Sequence, residues 1–176
     1  ADEIECRINQ INEKGLTLLL YKDARCDMNI LDETVGPANW QRKHTRDNAN
    51  CIVSIYDEDK GQWVEKEDTG TESNTEKEKG LASDSFKRAC VNWGIGRELY
   101  TSPFIYISKA DRDGAINFNS YKNKGGKDAS NDRFIVEAIR YDEKRNITAL
   151  SIKNATLNKR VYVWQQLKKT ENSNKG

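Results

Sequence analysis

The stretch TEKEKGLASDSFKRACVNWGIGRELY, Thr75 to Tyr100, decides the fold. Thr75 and Glu78 have capping-box spacing, in which a hydroxyl and a carboxylate each satisfy an orphan amide at a helix start. Leu81, Ala82, Ser85, Phe86, Ala89, Cys90 and Trp93 then recur at helical spacing and make one apolar face. Gly94 stands where a left-handed C-terminal cap is expected, and Gly96 loosens the exit. Ser83, Asp84, Lys87, Arg88 and Asn92 fall on the opposite side. The stretch predicts one amphipathic helix, with a core face and a face bearing an adjacent Lys-Arg pair.

Two readings of that pair are open. Charges on a solvated helix face are ordinary, and Asp84 lies three and four residues before Lys87 and Arg88, where it could neutralise them. The alternative is phosphate binding. Phe86 and Trp93 share the apolar face and read as core residues rather than base-stacking ones.

Outward from the helix, residues 38–68 read as antiparallel strands. Trp40 to Thr45 and Cys51 to Tyr56 come first; Asp57 to Gly61 turns the chain, and Gln62 to Asp68 pairs back. Glu65, Glu67, Asp68, Glu72, Glu76 and Glu78 lead into the helix, and the last two suit its dipole. The same acids could instead cluster around a metal, which would make the chain a metal-dependent nuclease. Residues 1–22 predict a first β element. Ile4, Cys6 and Ile8 alternate, Glu13 to Gly15 turns, and Leu16 to Tyr21 reads as a buried strand. A helix follows, capped by Asp23, with Ala24, Met28, Leu31 and Val35 on its core face, and stopped at Gly36-Pro37.

Beyond the central helix, Thr101 to Ser108 predicts another strand. Residues 109–133 are poor in apolar side chains and hold Lys122-Asn-Lys-Gly-Gly-Lys127, which reads as a mobile loop. Its charges serve either solubility or phosphate contact. The Gly pair lacks the Gly-Lys-Ser/Thr ending of a P-loop, so nucleotide hydrolysis is not indicated. Phe134 to Tyr141, Ile147 to Lys153 and Arg160 to Gln165 predict a three-stranded meander, followed by a flexible polar tail over 168–176.

The 176 residues can bury a real core, and although 32% of them are charged the formal net charge is only +1. A nucleic-acid site must therefore be a local basic patch. No apolar run spans a bilayer and no signal-peptide pattern appears, which argues against a membrane partner. The first residue is Ala, so a trimmed or processed N-terminus is expected. Cys6, Cys26, Cys51 and Cys90 are widely spaced, and His44 is the one histidine, a poor basis for zinc. Reduced thiols in a cytoplasmic protein are expected.

KGLASDSFKRACVNWGIGRELY resembles the central helix of the Rad-fifty-two-like single-strand annealing proteins, in the form of the phage Sak group. The shared features are Glu67 to Gly70, Lys79-Gly80, Phe86-Lys87-Arg88-Ala89 and Trp93 to Arg97. LLLYKDARCDMNILDETVGPANWQRKH is similar to the family's strand, helix and Gly-x-x-x-Trp segment through Tyr21, Asp23, Ala24, Arg25, Leu31, Gly36, Asn39 and Trp40. Ile4 to Arg7 resembles the segment in which the family places a DNA-contacting arginine. These blocks cover about residues 4–107 in family order; the meander, about 134–165, resembles the phage members only.

The resemblance implies an α+β fold, an antiparallel sheet with a long helix packed across it in a β-β-β-α core, followed by the C-terminal β-meander. It implies one annealing domain over 1–167, assembled into a ring or helical filament in the cytoplasm of a bacterial host. The implied activity is binding and annealing of single-stranded DNA in recombination or repair, without ATP, cofactor or metal and without catalysis. Position by position, Arg7, Tyr21, Lys87 and Arg88 match the groove that holds the strand by its backbone, and Arg25 stands where many members are basic. The implied partners are single-stranded DNA, further copies of the chain and a single-strand-binding protein. Val91 and Asn92 depart from the family, which often carries another basic residue there. A long partner-binding C-terminal region is also missing from the match, so recombinase loading is not expected. The rival readings are the nuclease and a nucleic-acid-independent assembly module whose Lys-Arg face is a subunit contact.

Overall fold

The computed structural model describes residues 3–71 and 77–167, with 77–79 as helical backbone alone. The fold is α+β with antiparallel strand pairing. The chain forms two compact units, one from residues 1–21 and 101–176, the other from 22–100. The first hairpin shares its sheet with the C-terminal strands. The cause is strand pairing, which takes no account of sequence order.

In the first unit, β1 (Glu5–Ile11) and β2 (Gly15–Tyr21) form a hairpin. β6 (Ile105–Ser108) adds to β2, and β9 (Phe134–Tyr141) meets β1 at Glu5 and Ile135. β10 (Ile147–Asn154) and β11 (Lys159–Gln165) continue the sheet, whose order is β11-β10-β9-β1-β2-β6. The Tyr162 hydroxyl donates to the Phe104 carbonyl at 3.2 Å, drawing β11 and β6 together and nearly closing the sheet. Leu16 opposes Ile107 and Leu18 opposes Ile105, so one face of β2 enters a core shared with Phe118, Phe134, Ile147, Leu150 and Ile152. Leu19 points the other way and is exposed. The expected wholly buried β2 strand is thus a half-buried one, with the alternation of a sheet that has a single apolar face.

Residues 109–133 are ordered, contrary to the mobile loop expected from composition. Asn154 is fully buried; its amide donates to the Asn117 carbonyl and to Asp132, and its oxygen accepts from Thr156 and Leu157. Phe118 is 0% exposed and inserts into the core. β7 (Tyr121–Lys122) and β8 (Asp128–Ala129) make a small hairpin. Polar side chains bonding backbone groups hold the segment, which apolar content alone does not report.

The second unit is a three-stranded sheet, β3 (Trp40–Thr45), β4 (Asn50–Asp57) and β5 (Gln62–Thr69), with two helices. α1 (Ala24–Val35) is capped by Asp23, whose carboxylate accepts from the Arg25 and Cys26 amides, as expected. α2 (Lys77–Asn92) packs on β4 and β5, and Phe86, Ala89 and Cys90 are buried with Leu31, Cys51 and Val53. Gly70 ends β5 where it meets this helix: a Cβ there would lie 2.6 Å from the Ser85 amide nitrogen. Helix α2 closes in a Schellman pair, Ile95 N–H to Cys90 O and Gly94 N–H to Val91 O, with Gly94 at φ +95°. A short 3₁₀ turn, Arg97–Thr101, follows, so the strand expected from Thr101 begins only at Ile105. Proline at 103 supplies no amide for a ladder. The Thr75–Glu78 capping pair, the side chains of Glu72, Glu76 and Glu78, and the tail from Lys168 lie outside the described residues. No helix among the described residues is long and apolar enough to cross a membrane.

Candidate nucleic-acid interface

The five residues singled out by the resemblance divide between the units. Arg7 and Tyr21 belong to the first. Both stand on the outer face of the β1–β2 hairpin, because Arg7 opposes Leu19 and Tyr21 opposes Glu5 while Cys6, Ile8, Leu18 and Leu20 face the core. The Arg7 guanidinium lies over the Tyr21 ring, 5.7 Å from its centre, and the Tyr21 hydroxyl donates to Glu5. The hairpin thus presents a cation stacked on an aromatic face. Beside it a cleft of about 700 Å³ runs between β1 and the 131–136 segment, lined by Ile4, Ile8, Tyr21, Phe134 and Val136.

Arg25, Lys87 and Arg88 belong to the second unit. Arg25 sits on the first turn of α1 with its side chain 86% exposed, 3.1 Å from the Asp23 carboxylate. Lys87 and Arg88 follow fully buried Phe86 and precede fully buried Ala89, so helix geometry places both off the core face; Arg88 is exposed beside β5, and Lys87 is half-buried on the side of α1, within electrostatic reach of Asp27.

Asp84, whose spacing would let it neutralise them, is engaged elsewhere. Its carboxylate accepts from the Thr71 amide at 2.8 Å and the Thr71 hydroxyl at 3.3 Å, tying the end of β5 to the helix. The acid beside Arg88 is Asp68, 3.6 Å from its Nε and itself fixed by the Thr69 amide and the Asn92 side-chain amide. Lys87 has no ion pair among the described residues, although its charge eases ionisation of Asp27. The sequence reading missed Asp68 as the partner; its strand and α2 are far apart in sequence, and no local spacing reports such a contact.

Three other cations of this unit, Arg42, Lys66 and Arg97, are committed to packing or to helix capping. Arg42 lies over the Phe86 ring at 4.9 Å. Lys66 lies over Trp93 at 4.2 Å and donates to the Asn92 carbonyl. Arg97 donates to the Val91 and Asn92 carbonyls, so two cations cap the C-terminal end of α2, where the dipole favours them.

Beneath this end lies a buried pair. Lys22 Nζ and Asp27 Oδ1 are 2.5 Å apart, their side chains 7% and 0% exposed. Burial raises the Asp27 carboxyl above its ordinary range, against the pull of Lys22 and Lys87.

The acids leading into α2 are dispersed. Glu65 bonds Ser54 and Glu67 bonds Asn50 on one face of the sheet, while Asp68 turns to the helix side. Among the described residues no group of three or more His, Cys, Asp and Glu is arranged to hold a metal ion. The described cysteines form no disulfide among the described residues; burial pushes Cys51 up to about 11 and Cys6 up to about 12. Comparison with known proteins finds no matching family model, no matching curated sequence and no matching solved structure.

Proposed function

We propose that the chain binds single-stranded DNA by its sugar–phosphate backbone and anneals complementary strands without ATP, as an oligomer in the bacterial cytoplasm, in recombination or repair. The observation that carries this reading is the adjacent Lys87-Arg88 pair off the core face of α2, a helix whose Phe86, Ala89 and Cys90 are buried in the core. Arg7 stacked on Tyr21 supplies a second cation-bearing surface. Arginine suits phosphate by its planar fork and lysine by its point charge. Annealing breaks no covalent bond, so cations that follow phosphates are sufficient chemistry. With a net charge of +1 per chain, affinity has to come from repetition of weak contacts in an assembly. The finer fold reading, with α2 as the long helix across the sheet and β9 to β11 as a C-terminal meander, belongs to the same proposal, as does a single-strand-binding protein as partner.

The test is Lys87→Ala/Arg88→Ala. Binding to an oligothymidine should weaken for every sequence alike, since phosphate contacts carry no base information. The slope of log K against log salt should fall by about 0.7 for each phosphate no longer neutralised, about 1.4 for the pair. Annealing should fall with it, while the unfolding midpoint and sedimentation stay as in the wild type. Wild-type affinity and slope in the variant would remove this face from the DNA site. Failure to assemble, with affinity per subunit unchanged, would favour a subunit contact.

A further inference from the structure

The charges of the two units are opposite. Residues 1–21 and 101–176 hold seventeen Lys and Arg against twelve Asp and Glu; residues 22–100 hold twelve against sixteen. The near-zero total therefore hides a first unit of net +5 and a second of net −4. The α2 pair sits in the acidic unit, so the positive field that draws a polyanion belongs to the other one.

Within the first unit, basic side chains gather where two turns meet. The β1–β2 turn is closed by Asn12, whose side-chain oxygen accepts from the Lys14 and Gly15 amides. The β7–β8 turn is closed in the same manner by Asn123, which accepts from the Gly125 and Lys127 amides at 2.9 and 3.1 Å. Lys122 joins the two turns: its ammonium is 3.0 Å from Asp128 and 3.6 Å from Glu13. One cation thereby neutralises the two acids of this region. Lys14, Lys124 and Lys127 are exposed and have no ion pair among the described residues. Gly125 and Gly126 leave the tip between the last two bare of side chains. At the base of the same hairpin the Tyr121 ring is 47% exposed, and its hydroxyl donates to Asn131 at 3.0 Å, which fixes the ring's direction.

We propose that the β7–β8 hairpin, with Lys124 and Lys127 at its tip, Lys14 beside it and Tyr121 at its base, is a contact surface for single-stranded DNA. The lysines bind phosphates and the Tyr121 ring stacks on one unpaired base. Aromatic rings interleaved with cations form the common surface for single strands, because every base has a π-face and every linkage a charge. An exposed ring favours a single strand over a duplex, whose bases are already stacked. This rests on the single-stranded DNA reading and extends it to the unit that carries the positive charge.

The experiment measures binding of a fluorescent 30-nucleotide oligothymidine and of a duplex of equal length over a salt series. Lys124→Ala/Lys127→Ala should weaken single-strand binding and lower the salt slope by about 1.4. Tyr121→Leu should weaken it by roughly 5- to 150-fold, the range of one stacked base, at unchanged salt slope. Tyr121→Phe keeps the ring and should recover most of the affinity. Arg140→Ala/Lys144→Ala removes equal charge from another part of the unit and should change neither number by a comparable amount. The proposal is overturned if the hairpin lysine variant matches the wild type, if the control pair lowers affinity equally, or if only duplex binding responds. It falls as well if the wild type binds no single strand, an outcome that also removes the annealing reading. Wild-type binding with a silent hairpin removes this proposal alone.

Discussion

Replacing Lys22 by Met should destabilise the second unit strongly and conditionally on pH. Lys22 and Asp27 form a 2.5 Å pair in a site that exposes 7% of one side chain and none of the other, and neither charged group has a further hydrogen-bond partner among the described residues. Methionine retains the apolar stem that lies under Gly96, where a Cβ would come within 2.7 Å of Lys22 Cε, but removes the charge. The Asp27 carboxylate is then buried alone, which costs about 3–5 kcal/mol. A second route gives the same size. The site escapes by protonating Asp27, and for a carboxyl of ordinary pKa 3.8 held neutral at pH 7 that costs about 4 kcal/mol. The sign with pH follows: the folded variant holds a proton that the unfolded chain releases, so stability rises as pH falls from 7 toward the ordinary carboxyl range. Urea unfolding followed by tryptophan fluorescence reads this unit, because Trp40, Trp63 and Trp93 lie in it and only Trp164 lies outside. The double variant Lys22→Met/Asp27→Leu should return to wild-type stability or exceed it by about 1–4 kcal/mol. A single-variant loss below about 1 kcal/mol, or a double variant as unstable as the single one, would refute the reasoning.

Three further outcomes follow from the same packing. Asp68→Asn keeps an acceptor for the Thr69 amide but removes the charge 3.6 Å from Arg88. Oligothymidine binding should tighten by roughly 1.5- to 5-fold, the worth of a half-exposed ion pair, and weaker binding would show that Asp68 positions the helix rather than competing with phosphate. Phe118→Ala should cost about 3–5 kcal/mol in the first unit, since the ring is fully buried in its core; a loss below about 1 kcal/mol in calorimetry would mean the 109–133 segment peels away without cost. With Cys51 pushed up to about 11, thiol labelling at pH 8 should be far slower in the native chain than in urea, and equal rates would contradict its burial.

Local pattern was legible. Asp23 as a cap, Gly94 as a helix stop, the Phe86–Ala89–Cys90 face and the three strands before α2 all follow from interactions within a few residues, which spacing reports directly. The placement of Lys87 and Arg88 off the core face followed from the same helical periodicity, whereas Arg7 was singled out only by the family resemblance. Two kinds of information were not in the pattern. Ordering of 109–133 depends on Asn154, Asp132 and Asn117, polar groups that a composition count assigns to loops. Ion-pair partners were also not legible from spacing. Asp84 has the right spacing for Lys87 and Arg88 yet bonds Thr71, while Asp68 reaches Arg88 from a neighbouring strand.

By itself, then, the sequence determined most of the helices and longer strands and the core face of α2, because periodicity and capping are local. Only the tertiary structure decided which strands share a sheet, since the partner of a strand edge is chosen by distant residues. Pairing of Glu5 with Ile135 and of Leu18 with Ile105 sends the first hairpin to the C-terminal strands. That choice splits a chain of net charge +1 into a basic and an acidic unit, and it brings Lys14 beside the β7–β8 hairpin through the contact of Glu13 with Lys122.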